Sequence, residues 1–177
     1  MTTAALVGCG GAEGPSGSPR SSTPPSAQAS ADASPTAASR VVEVNGAQLR
    51  VPADWSVGGG GTQRATISVP EDESGTSYGT GVFNADITLA SDTEELAMGR
   101  ANVAGGDAKR LPDVEFGGQS FFHLRELHGG IDSLDTYGTV INGSEVTVAW
   151  GFNAELATRE QIDGWINQVM PTFKFEG

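Results

Sequence analysis

Two histidines, two small groups of carboxylates and one cysteine are the residues of this chain with chemistry to offer. His123 and His128 stand five positions apart. On an alternating strand that spacing puts them on opposite faces, and a zinc pair of the HExxH kind needs four. Both are therefore expected to be surface or edge histidines, not ligands or bases. Glu71, Asp72 and Glu73 follow Pro70 in the turn-rich stretch PEDESGTSYGTG. They form a candidate cation or partner-binding group, set against the plainer reading of a solvated loop. Asp132 and Asp135 flank the start of a later strand, and neither group has the spacing of a calcium-binding loop. Nucleophile motifs such as GxSxG and SxxK are absent. The Gly58–Gly61 run lacks the lysine of a phosphate-binding loop and reads as a floppy loop. No metal, cofactor or catalytic residue is assigned. Cys9 is the lone thiol, which rules out a disulfide framework, a CxxC pair and a zinc cage within the chain.

Cys9 lies in LVGCGG, with small residues on both sides and Leu6 and Val7 before it. That order resembles the lipobox of bacterial lipoproteins, in which the cysteine receives a diacylglycerol and becomes the new N-terminus. The resemblance implies lipid attachment at Cys9. The segment in front is a truncated signal. Met1 to Gly8 has no Lys or Arg and only a short apolar run, whereas a secretory signal carries a basic start and roughly 7–15 apolar residues. The true start is therefore expected upstream. Residues 10–40 hold five prolines and no aromatic, Leu, Ile or Val. Such a stretch buries too little apolar surface to offset its chain entropy and is expected to be a disordered Ser/Pro/Ala/Gly linker, a leash of about 30 Å root-mean-square span.

The 177 residues suit one folded domain, placed at residues 41–177. The net charge of −12 falls entirely within it, because Glu13 and Asp32 cancel Arg20 and Arg40 in the first forty residues. An acidic domain is repelled by phosphate backbones and anionic headgroups, so nucleic acid and direct membrane-surface binding are not expected. No run approaches the ~18 apolar residues of a membrane helix. Attachment to a membrane would thus go through the lipid on Cys9.

Strong local signals organise the domain. Asn45-Gly46 joins Val41–Val44 to Ala47–Val51 as a hairpin, with Val42 facing Leu49. Asn142-Gly143 joins Ser133–Ile141 to Ser144–Phe152, since Asn-Gly supplies the two positive-φ positions of a type I′ turn. The second register pairs Ile141 with Ser144, Thr139 with Val146, Tyr137 with Val148 and Asp135 with Trp150. It puts Tyr137, Ile141, Val146, Val148 and Trp150 on one face. Thr158 and Gln161 make a capping box before a helix whose stripe is Ile162, Trp165, Ile166 and Val169. Trp165 reads as a core anchor. Pro171 ends that helix, and a short closing strand follows at Thr172–Phe175.

Weaker signals complete the set. Val82–Ala90 alternates, with Phe83, Ala85, Ile87 and Leu89 inward. Ser91 and Glu94 open a helix to about Ala104 whose thin stripe (Leu96, Ala97, Ala101, Ala104) predicts peripheral packing. Val114–Phe116 and Gln119–Leu127 read as strands. Adjacent Phe121 and Phe122 make the latter a central strand covered on both faces. Arg64–Val69 is a further strand.

The order of hairpin, VPADW (Val51–Trp55), strands, capped helix, GGQSFFHLREL, VINGSEVTVAWGF and a helix ending in VMPTFKFEG resembles the PsbP-like α/β/α sandwich. That fold is shared by oxygen-evolving-complex proteins, a Ran-binding nuclear import factor and small lipoproteins of high-GC Gram-positive bacteria. The resemblance implies an α+β domain, an antiparallel sheet with two or three packed helices, in a non-enzymatic role. The one-sided strand at Val82–Ala90 departs from it and predicts that helices cover one sheet face incompletely. The sequence thus supports a cell-envelope lipoprotein with an accessory domain that binds a protein or a small apolar partner. A solute-binding lipoprotein and an enzyme with an unrecognised site are the alternatives.

Overall fold

The structure, a computed structural model, describes residues 39–105, 108–128 and 132–176. The lipid site at Cys9, the signal at 1–9 and nearly all of the 10–40 linker lie outside the described residues. β1 (Ser39–Val44) and β2 (Ala47–Pro52) form the first hairpin, with Val42 opposite Leu49 as expected. Asn45 and Gly46 both take positive φ, +42° and +80°. The Asn45 carboxamide donates to Ala85 O at 2.8 Å and its backbone N–H to Thr62 O at 2.9 Å, tying the turn to the neighbouring sheet. β10 (Lys174–Phe175) adds to the other side of β2 and completes a three-stranded sheet.

The larger sheet has seven antiparallel strands in the order β3-β4-β5-β9-β8-β7-β6. These are β3 (Ser56–Gly59), β4 (Arg64–Ser68), β5 (Gly79–Ile87), β6 (Lys109–Phe116), β7 (Gln119–His128), β8 (Asp132–Ile141) and β9 (Ser144–Asn153). The β8–β9 register is the expected one at every quoted pair. Its inward side chains join the main core with the three-stranded sheet and α2 (Arg159–Val169). A second, smaller cluster of Leu96, Ala97, Phe122 and Leu124 lies under α1 (Thr93–Ala104). Phe121 and Phe122 therefore serve opposite faces of β7. That strand is covered on both sides, but it lies one place from the sheet edge.

The capping box at Thr158 and Gln161 is formed, and Ile162, Ile166 and Val169 are buried. Trp165 is half-buried against the core, stacked on Phe152. Thr158→Ala is expected to cost about 1 kcal/mol, the usual worth of an N-cap side chain. A lower urea midpoint with unchanged slope would report it; an unmoved midpoint would contradict it.

Four local expectations are corrected. Only Phe83 and Ala85 of the alternating stretch are buried; Ile87 is 85% exposed and Leu89 is fully so. β5 ends at Ile87, where the sheet ends too, and the chain turns away with Thr88 N–H bonded to Gly143 O. The cap of α1 is Asp92, one residue later than read, its carboxylate accepting from Glu95 N–H at 2.8 Å. Ser91 instead gives its N–H and O–H to the Glu95 carboxylate. Gly58 and Gly59 are not loop but part of the edge strand β3. β6 runs five residues further back than Val114, to Lys109. Pro112, which hid it, falls where the register shifts between Leu111 and Val114 on that edge strand, a position that tolerates proline.

Candidate functional site

The strongest concentration of chemistry lies where β7, β8 and the start of α2 meet. Inward positions alternate along β7 as Phe121, His123 and Arg125, and along β8 as Ser133, Asp135 and Tyr137. Cross-strand pairing puts Arg125 opposite Asp135 and His123 opposite Tyr137. Arg159, the first residue of α2, reaches down from above. Asp135 is wholly buried. Its Oδ1 accepts from His123 Nε2 at 2.7 Å and Arg125 Nε at 2.8 Å. Its Oδ2 accepts from Arg159 Nη1 at 2.5 Å, with the Ser133 hydroxyl at 3.5 Å. Arg159 also pairs with Asp163 one helical turn on.

Burial alone would raise the Asp135 carboxyl out of the usual range. The hydrogen bonds from His123, Arg159 and Arg125 outweigh it and hold the group at about 2. Burial, helped by the charge on Asp135, pushes the Tyr137 phenol well above its ordinary value. The His123 ring stacks on Tyr137, centroids 4.2 Å apart. An ionised carboxylate only accepts, so Nε2 of His123 carries the proton toward Asp135.

This arrangement suits a lock better than a catalyst. The Ser133 hydroxyl bonds to Asp135 and Arg159 and not to His123. His123 and Arg125 tie Asp135 to the neighbouring strand β7, and Arg159 ties it to α2. His123 is thus corrected from a surface or edge residue to a buried one, 7% exposed. The sequence does place His123 and Arg125 on one strand face. What it lacks is the β7–β8 register that brings Asp135 to them, because no Asn-Gly turn marks that connection.

The other carboxylates stay apart. Asp132 is exposed at the start of β8, three residues from Asp135 and on the opposite face. Asp72 closes its own loop: Oδ1 accepts from Ser74 N–H at 2.9 Å, the Ser74 hydroxyl at 2.6 Å and Thr76 N–H at 2.8 Å. These bonds, the Ser74 hydroxyl foremost, lower its carboxyl below the ordinary value. Glu71 forms a strand-like bridge to Ser77, and Glu71 and Glu73 are exposed. His128 ends β7. Among the described residues no group of three or more His, Cys, Asp or Glu could hold a metal ion, and no helix is long and apolar enough to cross a membrane.

No family model and no curated protein matches the chain. Solved structures do. A crystal structure from Bacteroides thetaiotaomicron matches at TM-score 0.52 and 13% identity, over 78% of this chain and 48% of that one, so the chain spans about half that protein's length. The solution structure of cyanobacterial PsbP (CyanoP) from Synechocystis matches at TM-score 0.52 and 13% identity, over 84% of this chain and 99% of that one. The Ran-binding protein Mog1p of Saccharomyces cerevisiae matches at TM-score 0.47 and 11% identity, over 76% and 86%. At such identities the likeness is one of fold: this domain is α+β, with two antiparallel sheets and two helices, and its fold is PsbP-like.

Proposed function

We propose that this chain is a cell-envelope lipoprotein, held to the outer face of the plasma membrane through an acylated Cys9. Its folded domain works without catalysis, as an accessory module that binds a protein or a small apolar partner. The observation that carries the reading is LVGCGG followed at once by the Ser/Pro/Ala/Gly segment 10–40 and then by a β-rich domain. Two features of the domain support it. Asp135 is engaged by His123 and Arg125 of β7 and by Arg159 of α2, an arrangement that binds sheet and helix together. Ile87 at the end of β5, Leu89 on the β5–α1 connection, and Met98 and Val103 on α1 expose large apolar side chains, the kind of surface a partner covers.

Intact-mass and N-terminal peptide analysis of the protein from native membranes tests the anchor. The expected product begins at Cys9 and carries acyl groups, and Cys9→Ser releases the chain into the soluble fraction. An unacylated protein in the cytosol overturns the reading. Crosslinking in intact cells tests the partner: a discrete adduct is expected that Leu89→Ser weakens. An adduct pattern identical in the variant counts against these side chains as the contact.

A further inference from the structure

The outer face of the larger sheet is only partly covered. α1 lies over β7 and β8 and touches β9 through Arg100–Glu145, and on the same face of β4 and β5 Arg64, Thr66, Val82, Asn84 and Asp86 are exposed or half-buried. At one end of the open part is a groove of about 330 Å³, lined by Gly60, Gln63, Arg64, Asn84, Asp86, Arg100 and Glu145. We propose that this groove binds a small zwitterion, a molecule with a carboxylate and a primary ammonium on one carbon, as in a free α-amino acid. The proposal does not depend on the membrane anchor.

The floor follows from strand register. Arg64 on β4 is paired with Asn84 on β5, and Asp86 with Glu145 on β9. Phe83 and Ala85 point into the core, so Asn84 and Asp86 face the groove. The wall is the β3–β4 turn, which is fixed at several points. Gly60 N–H bonds to Arg64 O at 3.0 Å, Gln63 O accepts from Ala85 N–H at 3.0 Å, and Thr62 O accepts from Asn45 N–H at 2.9 Å. A Cβ on Gly60 would come within 3.1 Å of the Arg64 stem, so the glycine lets that turn close against it.

Pairing within the groove leaves one charge of each sign. Arg100 neutralises Glu145 at 2.5 Å, and the other Glu145 oxygen takes the Thr88 hydroxyl. Asp86 uses Oδ1 for Gln63 Nε2 and Ile87 N–H, leaving Oδ2 to accept. Among the described residues, the side chains of Arg64 and Asn84 have no hydrogen-bond or ion-pair partner. A guanidinium offers donors only, in a fork that fits a carboxylate. A free carboxylate oxygen suits an ammonium. Asp86 is two residues beyond Asn84, about 7 Å along the strand, so the ends of one small dipolar molecule reach both. The volume is at the small end of the ~300–1,000 Å³ of ligand pockets, and no aromatic, Leu, Ile or Val side chain lines it. Both facts favour a compact polar ligand over an aromatic or lipid one.

The test is titration of the full-length, ¹⁵N-labelled chain with L-alanine, alongside acetate and methylammonium as the two half-ligands. L-alanine is expected to move the Arg64, Asn84 and Asp86 amides to saturation. Arg64→Gln and Asp86→Asn each weaken binding roughly tenfold or more, the loss that goes with one charge-assisted hydrogen bond. Lys109→Gln, on the far edge strand, leaves it unchanged. Three outcomes overturn the proposal: no saturable shift at these amides, acetate binding as tightly as L-alanine, or Arg64→Gln binding like the parent.

Discussion

Trp150→Ala lowers the stability of the folded domain by about 3–5 kcal/mol, the cost of emptying a large aromatic site in a packed core. Trp150 has no exposed surface. It meets Trp55 edge-on at 6.0 Å and Phe152 in a stack at 6.2 Å. On its other side the ring lies on Gly81, where an added Cβ would come within 2.5 Å of it. Gly81 itself has no side chain to fill the space. A typical domain has only about 5–15 kcal/mol in all, so the variant is close to unfolding at ambient temperature. Among the described residues the Trp150 indole N–H has no partner, and a buried unpaired donor costs about 1–3 kcal/mol. Trp150→Phe removes that donor while keeping an aromatic ring, so its loss is clearly smaller than that of the alanine variant. Urea melts of both variants measure the difference. A loss under about 1 kcal/mol for Trp150→Ala would show that the site is not the packed one seen here.

Asp135→Asn costs about 3–5 kcal/mol as well, because removing one member of a buried ion cluster leaves the others charged and poorly paired. Arg159 and Arg125 both lose their shared carboxylate, and the first turn of α2 loses its tie to β8. The same group predicts an acid response. The folded-state value of Asp135 is about 2, against 3.8 for an unperturbed carboxyl. A lowered value means that the folded form prefers the ionised group. The resulting stability, about 2 kcal/mol, is fully present above roughly pH 4. It drains away as pH falls from about 4 through about 2, and it is absent below. Denaturant melts from pH 7 to pH 2 should therefore show a slope in the parent that is shallower in Asp135→Asn. Parallel curves for the two proteins would mean that Asp135 is not ionised in the folded state.

These two residues also show how differently parts of the fold can be read. Trp150 was legible because its strand is joined to β8 by Asn142-Gly143. A two-residue turn fixes the register, and the register fixes the face of every side chain along both strands. Thr158 and Gln161 were legible for a similar reason, since a cap is satisfied within three residues. Asp135 was legible as inward-facing and opposite Trp150, yet its real partners were not. His123 and Arg125 come from another strand, and Arg159 from a helix that lies beyond β9 in the chain. Ile87 and Leu89 failed in the opposite way. Alternation says which side a residue points to, but not whether anything lies there.

By itself the sequence determined the local pieces: both Asn-Gly hairpins, the capped C-terminal helix, the thin stripe of α1, and the α+β class. Each rests on hydrogen bonds or steric limits that act within a few residues. Only the tertiary structure decided the order of seven strands, the burial of His123 against Asp135, and the open sheet face above Arg64, Asn84 and Asp86. Those depend on which distant segments cover a surface. That choice is set by the packing of the whole domain and leaves no periodic trace in any one segment.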